Sequence, residues 1–309
     1  MILNFKSLYI IFALLLPLNS YALEIALSFD DAPRPDGAIF TGGARTQQLI
    51  DILNEKNVTE VAIFANTHDF TEQDQARLEQ YADAGHIIAN HTAHHLNLHD
   101  ENITPELYID DIDEADKKLS QFKTYHRWFR YPYLRQARTI FDENDIQIQN
   151  HLLKEKYKHG YVTVETYDWH LDHLLSEDIK NGVPVNFKKL REIYIEILWD
   201  SIVFYDNLAQ KVLGRSPKHI LLLHENDLNA LFIGDLIDHI RKNGGEIISN
   251  SSAYTDPVAM EKYDTLRLSQ RRLRAIAKDL HYTGATSSQF EEEENIEKFY
   301  KAKMNNYNN

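Results

Sequence analysis

Cysteine is absent from the 309 residues of this chain, and basic residues are outnumbered by acidic ones. Without cysteine there is no disulfide framework, no thiolate chemistry and no lipoprotein anchor. The 33 Lys and Arg residues against 47 Asp and Glu residues give a formal net charge of -14 at pH 7. Because such a chain repels phosphate backbones, we expect no nucleic-acid partner, whereas a neutral or cationic substrate is tolerated.

The N-terminus carries a short apolar run, Leu8 to Leu16, which follows Lys6 and ends before Pro17. This run is too short to cross a bilayer as a stable helix. Ser20-Tyr21-Ala22 offers small residues where a signal peptidase reads them. We therefore predict a signal peptide over residues 1–22, cleaved after Ala22, and a secreted or periplasmic bacterial protein without a stable membrane anchor. An uncleaved anchor is the alternative.

Short apolar runs alternate with helical patterns along the rest of the chain. Strands are predicted at residues 23–30, 58–64, 86–89, 128–131, 160–165, 220–223 and 246–249. Helices are predicted at residues 46–53, 74–84, 105–121, 187–213 and 231–242, the longest ending at Gly214. The alternation indicates an α/β fold, either a barrel or an open doubly wound sheet.

The composition changes near residue 264. Residues 264–280 predict a basic helix, and residues 291–294 are an acidic run. We assign residues 23–263 to the main domain and residues 264–309 to a charged C-terminal helical extension. Charge runs of this kind are usually solvated faces or frayed ends, so no function is assigned to the extension.

Acidic and histidine side chains follow the first predicted strand and a later one. Asp30 and Asp31 come directly after an apolar strand, where functional groups gather in α/β folds. His91 and His95 are four residues apart, so on one helical turn they would share a face. Two histidines and one carboxylate can hold a catalytic zinc ion, or iron in an oxygenase. A strand-ending turn and a His-rich surface turn are the plainer interpretations.

Three later segments carry further candidates. Arg130-Tyr131-Pro132-Tyr133 leaves the sheet at its proline, and Arg130 can orient a carboxylate. Asp168-Trp169 is predicted to close a strand, and a buried strand delivers His224 to its end, as a general acid requires. Taken singly, each is equally typical of a salt bridge, a core aromatic or a structural histidine.

In this order the segments resemble the motifs of the polysaccharide deacetylase family, carbohydrate esterase family 4, with its NodB homology domain. Ser28-Phe29-Asp30-Asp31-Ala32-Pro33 is similar to the first motif, and His91-Thr92-Ala93-His94-His95 to the second. The third to fifth motifs are represented by Arg130-Tyr131-Pro132-Tyr133, Asp168-Trp169 and Leu222-Leu223-His224. The resemblance extends over residues 23–257 and includes the closing segment Ala253-Tyr254-Thr255-Asp256-Pro257.

The resemblance implies a distorted (β/α) barrel of about seven strands and a monomer that acts on a polysaccharide or oligosaccharide. It implies one divalent metal ion, with Zn²⁺ expected and Co²⁺ or Ni²⁺ as alternatives, held by Asp31, His91 and His95. The implied reaction removes N-acetyl groups from an aminosugar polymer or oligomer, such as peptidoglycan or a chitin-type chain of N-acetylglucosamine, and releases acetate.

The resemblance also implies a role for each remaining motif residue. Asp30 would be the general base, oriented by Arg130, and Asp168 would pair with Arg130 and tune His224, the general acid. The Tyr133 backbone N–H would stabilise the oxyanion. Trp169 and Leu222 would line the pocket for the acetyl methyl group, and Tyr131, Tyr133 and Trp169 would offer aromatic faces to sugar rings.

Two departures and three alternatives stand beside this assignment. Ala32 replaces the usual Gly of the first motif, and Glu165 replaces the Asp that often begins the fourth. The alternatives are a catalytically silent carbohydrate-binding relative, an O-deacetylase acting on acetylated xylan, and an iron oxygenase. A silent relative should lack a ligand, base or acid, and none is missing here; an oxygenase would lack the Asp30 and His224 arrangement.

The signal-peptide prediction can be checked directly. The mature protein should begin at Leu23, because the cleavage signal ends at Ala22. N-terminal sequencing or intact mass measurement of the exported protein tests this. An intact Met1 in a membrane fraction would contradict it.

Overall fold

A seven-stranded parallel sheet forms the centre of the computed structural model, which describes residues 23–137, 143–260 and 269–305. The strands are β1 (Glu24–Ala32), β2 (Ala62–Ala65), β3 (Ile87–Asn90), β4 (Tyr125–Phe129), β5 (Lys158–His159), β6 (His219–His224) and β7 (Glu246–Ile247). Their order is β5-β4-β3-β2-β1-β6, and β7 pairs with the first residues of β1. The predicted α/β class is confirmed; the predicted signal peptide lies outside the described residues.

Helices connect and cover the strands. Within the described ranges they are α1 (Gly42–Glu55), α2 (Glu72–Asp83), α3 (Pro105–Leu119), α4 (Glu143–Lys154), α5 (Asp168–Lys180), α6 (Phe187–Leu213), α7 (Asp227–Lys242), α8 (Asn250–Ala253), α9 (Arg272–Asp279) and α10 (Glu293–Asn305). The Asn186 side chain caps the first turn of α6, and Gly214 ends the helix at φ 71°, as predicted. None of the helices in these ranges is both long and apolar enough to cross a bilayer.

The sheet curls because an irregular segment links its two ends. Residues 160–165, predicted as a strand, form only isolated bridges, Val164 with Leu221 of β6 and Val162 with Arg271. The strand prediction is wrong in this detail because the segment changes partners as it passes from β4 to β6. Gly160 permits the close approach, since a Cβ there would lie 2.6 Å from the Phe64 ring. The fold is thus the distorted barrel that was expected.

Two local predictions at the sheet edge are wrong. The segment from His91 to His95 is not helical, because Thr92 and His95 adopt positive φ values of 65° and 53°. Asp168 does not close a strand but opens α5. After β3, hydrogen bonds from the Asn90 and Thr92 side chains shape the backbone, and hydrophobic periodicity does not predict them.

The C-terminal extension is packed rather than frayed, contrary to expectation. Phe290, Ile296 and Tyr300 are buried in the main core, and α10 lies against α5 and α6. Only Arg272–Asp279 of the predicted basic helix is helical in the described residues, and residues 264–268 lie outside them. The apolar residues between the charged ones pack against the core, and the runs of charge in the sequence do not predict this packing.

Gly214 offers a test of the α6 end. A Cβ at this position would meet nothing within 4 Å, so only the left-handed backbone opposes a side chain. Gly214→Ala should therefore lower the free energy of unfolding by about 1 kcal/mol. Denaturant unfolding measures this. A more stable variant, or one that loses the fold, would contradict the assignment of the helix end.

Candidate active site

The carboxyl ends of parallel strands meet at one edge of the sheet, and a cleft opens there. Its volume is about 420 Å³. Every metal-ligand candidate, together with Asp30, His224, Tyr133, Trp169 and Leu222, lines this cleft. Asp30 of β1 and His224 of β6 are register partners, so the two strands place them side by side. The sequence candidates thus converge on one cavity.

A bulge in β1 allows two adjacent aspartates to serve the same cleft. The register between β1 and β2 shifts between Asp30 and Ala32, and Asp31 has φ 67°. In a regular strand the two carboxylates would point to opposite faces. The bulge instead turns both into the cleft. Ala32 is buried and, unlike Asp31, has no positive φ, so its methyl group does not disturb the turn.

Side-chain hydrogen bonds hold the histidine loop after β3. The Asn90 side chain accepts from the Thr92 backbone N–H at 2.8 Å, and the Thr92 hydroxyl accepts from the His95 N–H at 3.0 Å. His91 is oriented by its Nδ1, which lies 2.8 Å from the Arg130 carbonyl oxygen. That carbonyl can only accept, so His91 carries its proton on Nδ1 and directs a lone pair from Nε2 into the cleft.

Asp31, His91 and His95 fit a single divalent ion. The Asp31 Oδ1 lies 3.6 Å from His91 Nε2 and 3.3 Å from His95 Nε2. Ligands bound to zinc at 2.0–2.2 Å in a tetrahedral arrangement are about 3.3 Å apart. Burial lowers the pKa of each histidine to about 4. The pKa of Asp31 is also lowered, because the charges of His95, His224 and His91 outweigh the effect of burial. At neutral pH the three groups therefore have the protonation states that metal ligands require.

Asp30 is a separate carboxylate with its own partner. Arg130 Nη1 donates to Asp30 Oδ1 at 2.5 Å, and both side chains are buried. Burial raises the pKa of Asp30 to about 6, although Arg130 opposes the shift. The predicted contact between Asp168 and Arg130 is absent from the hydrogen bonds of these two described residues: the Arg130 guanidinium reaches Gly160, Ser28 and Tyr254 instead.

Asp168 pairs with His224. Its Oδ1 lies 2.8 Å from His224 Nδ1, while its Oδ2 accepts from the His224 backbone N–H at 2.9 Å. The side chains of Asn226 and Asn229 also donate to Oδ2. Burial lowers the pKa of His224, but the Asp168 charge and hydrogen bond prevail and raise it to about 9. His224 is therefore an imidazolium at neutral pH, with Nε2 as the ring nitrogen left free by Asp168.

The aromatic candidates separate into two groups. Tyr133 and Trp169 are 49% and 37% exposed at the cleft, where they can meet a sugar ring. Leu222 is buried in the cleft wall. Tyr131 is fully buried between Tyr108 and Phe129, so the expectation that it offers a face to sugar is wrong.

Part of the chain matches a known protein family. Residues 22–151 match the family model described as polysaccharide deacetylase, a range that contains both aspartates, both histidines and Arg130. The matched range, which is less than half of the 309 residues, is thus similar to the polysaccharide deacetylase family. Asp168 and His224 lie beyond the matched range.

Individual proteins are also similar to parts of this chain. The chain is 29% identical over 119 residues to peptidoglycan-N-acetylmuramic acid deacetylase PdaA of Bacillus subtilis, a match over 38% of this chain and 40% of that relative's length. A mutant of a CE4 family pseudoenzyme from Bacillus anthracis has a TM-score of 0.51 at 14% identity, over 75% of this chain and 67% of that one. A Streptococcus mutans CE4 esterase has a TM-score of 0.51 at 12% identity, over 74% and 86%. These two structures share the fold.

The cleft also contains residues that the sequence motifs did not predict. Arg34 and Arg135 flank the first and third motifs, and proximity to those motifs was the available signal. Arg271 and Glu293 come from the C-terminal extension, where no motif marks them. Glu165, the second departure, pairs with Arg271 and not with Arg130.

The ligand set predicts a specific pattern of metal affinity. His95→Ala should bind Zn²⁺ at least about 10-fold more weakly than the wild type, because one of three protein ligands is lost. His94→Ala is the matched control, since His94 bonds to Asp111 and does not line the cleft. Isothermal titration calorimetry on metal-depleted protein measures both. Equal affinity for the two variants would contradict the proposed ligand set.

Proposed function

We propose that this chain is a secreted, metal-dependent deacetylase that hydrolyses N-acetyl groups of an aminosugar polymer or oligomer. One observation carries the proposal. A three-ligand set, a buried carboxylate with pKa near neutrality and an imidazolium line a single cleft of about 420 Å³. Amide hydrolysis requires a proton acceptor for water and a proton donor for the amine, and the two groups are distinct here.

Asp30 is the general base in this proposal. Its Oδ1 is engaged by Arg130, and its Oδ2 lies 3.7 Å from His91 Nε2, beside the ligand set. A water molecule between the ligand set and Asp30 would transfer its proton to Oδ2 as its oxygen bonds to the acetyl carbon. Arg130 fixes the carboxylate in one orientation, so the proton acceptor is directed into the cleft before substrate arrives.

His224 is the general acid. When the carbon–nitrogen bond breaks, the nitrogen needs a proton, because an amide anion is a very poor leaving group. The imidazolium of His224 supplies that proton from Nε2, and Asp168 stabilises the charge on the ring before transfer. The products are acetate and a free amine on the sugar.

The remaining residues act on the acyl group and the sugar. A divalent ion held by Asp31, His91 and His95 would polarise the acyl oxygen and lower the pKa of water, with Zn²⁺ proposed and Co²⁺ or Ni²⁺ as alternatives. The Tyr133 backbone N–H is proposed to donate to the developing oxyanion. Leu222 borders the acetyl methyl group, and Trp169 and the Tyr133 ring form the sugar-facing wall.

Peptidoglycan is the proposed substrate class. Two of its features fit the chain: it is an acetylated aminosugar polymer, and it lies outside the membrane, where a protein with a signal peptide would be delivered. The relative named as a peptidoglycan-N-acetylmuramic acid deacetylase points the same way. A chitin-type N-acetylglucosamine polymer and acetylated xylan are the alternatives that a substrate panel separates.

The decisive experiment compares the two aspartates. Asp31→Asn should lose both metal and acetate release, whereas Asp30→Asn should retain metal and lose turnover by about 10²-fold or more, because only the proton acceptor is removed. Metal content and acetate release are measured on the same purified samples, with peptidoglycan, chitin oligomers and acetylated xylan as substrates.

Each result of that experiment has a distinct meaning. Loss of metal in Asp30→Asn with retention in Asp31→Asn would reverse the two roles. Full activity of both variants would place the chemistry elsewhere. Binding of the polymers by a wild-type protein that releases no acetate from any of them would establish the silent relative instead.

A further inference from the structure

The segment from Arg130 to Arg135, which follows β4, carries two groups proposed for catalysis. It holds Arg130, which orients Asp30, and the Tyr133 N–H proposed for the oxyanion. Pro132 has no N–H, and Tyr133 and Leu134 have φ values of 59° and 55°. Residues 131–134 therefore leave the sheet after β4, and their buried polar groups need partners from other parts of the chain.

The C-terminal extension supplies those partners. The buried Gln270 side chain accepts from the Tyr131 N–H at 2.6 Å and donates to the Phe129 carbonyl at 2.9 Å. Its backbone N–H donates to the Leu134 carbonyl at 3.1 Å. Ser269 Oγ donates to the same carbonyl at 3.1 Å. The carbonyl and amide groups on both sides of Arg130 are thus held by one short stretch of the extension.

Arg271 joins this segment to a second wall of the cleft. Its Nη1 donates to the Tyr133 carbonyl at 3.1 Å, while Nε and Nη2 donate to the two Glu165 oxygens at 2.5 and 2.6 Å. Glu165 follows residues 160–164, which bridge to β6. The planar guanidinium therefore spans two of the polypeptide segments that form the cleft, with a geometry that a lysine cannot reproduce.

The extension is itself fixed to the core, so it can act as a support. Leu273 and Ile276 of α9 are buried, and each packs into an apolar core of the molecule. The buried Glu291, which precedes α10, accepts from the Tyr205 hydroxyl of α6 at 2.6 Å. These contacts fix the extension to the core and so hold Gln270 and Arg271, which directly precede α9, in place.

From these contacts we infer that residues 269–271 complete the catalytic site, with Gln270 and Arg271 as positioning residues for the Arg130–Tyr133 segment. Arg271 acts through the Tyr133 carbonyl: by holding this group it fixes the backbone conformation of Tyr133, whose N–H is proposed for the oxyanion. The extension outside the family match is therefore part of the catalytic unit. The expected loss of acetate release rests on the proposed function, whereas the expected loosening of the Arg130–Tyr133 segment does not.

Arg271→Ala and Arg274→Ala form the test pair in the full-length protein. Both remove a guanidinium bonded to Glu165, but only Arg271 reaches the Tyr133 carbonyl. Arg271→Ala should lower kcat for acetate release by about 10- to 100-fold with metal content unchanged, because the segment shifts from its productive position. Arg271→Lys should remain impaired, since one ammonium cannot bond to both walls. Arg274→Ala should keep the wild-type kcat even if its thermal unfolding temperature falls.

Amide hydrogen exchange provides a readout independent of activity. Peptides covering residues 129–135 should exchange faster in Arg271→Ala, and in Gln270→Ala, than in the wild type or Arg274→Ala. Full kcat in Arg271→Ala, full recovery in Arg271→Lys, or exchange equal to that of Arg274→Ala would overturn the inference. A wild-type protein without acetate release would refute the proposed function, while the exchange comparison would still decide whether the extension holds the segment.

Discussion

The Arg130 guanidinium is fully buried, and most of the cleft is arranged around it. Removing a charge from water costs several kcal/mol unless the charge is paired and hydrogen-bonded. Asp30, Ser28, Gly160 and Tyr254 provide those bonds, and the ring of Phe64 lies 3.7 Å from the guanidinium carbon. These groups come from β1, β2, the segment after β5 and the end of α8. A single cation thus requires distant parts of the chain to meet, and it fixes the carboxylate that faces the substrate.

Backbone strain collects around this cleft. Asp31, Thr92, His95 and Tyr133 all have positive φ values although none is glycine. Such conformations cost of order 1–3 kcal/mol each and persist only where surrounding contacts enforce them. Here the enforcing contacts are the β1 bulge, the Asn90 and Thr92 side chains and the Arg271 contact with Tyr133. The strain gives each side chain or N–H a direction that a regular strand or helix would not provide.

Sequence patterns predicted the parts of this architecture that depend on local chemistry. Apolar runs located the central strands, the 3.6-residue period located α6, and Gly214 marked its end. Motif order identified the candidate residues and the link between Asp168 and His224, which the structure confirms, but the implied contact of Asp168 with Arg130 is not among the hydrogen bonds of these two described residues. The contribution of the C-terminal extension to the cleft could not be predicted for a related reason. Gln270 acts by bonding to backbone groups 136 to 141 residues away, and neither hydrophobicity nor charge along the chain predicts such a contact.

Asp30 and His224 show how one cleft can separate the two proton-transfer roles. They are register partners on adjacent strands, yet Asp30 has a pKa of about 6 and His224 one of about 9. Between these values Asp30 is a carboxylate and His224 an imidazolium, so base and acid are both ready at neutral pH. Burial shifts the pKa of both residues, and their partners decide the direction. Arg130 limits the rise in the pKa of Asp30, whereas Asp168 reverses the fall in the pKa of His224. A cation beside Asp30 would lower the pKa of Asp30. It would thereby extend to lower pH the range in which Asp30 is a carboxylate and His224 an imidazolium. The division of roles therefore depends on Arg130 and Asp168 remaining with separate partners, which is the arrangement that the structure adopts.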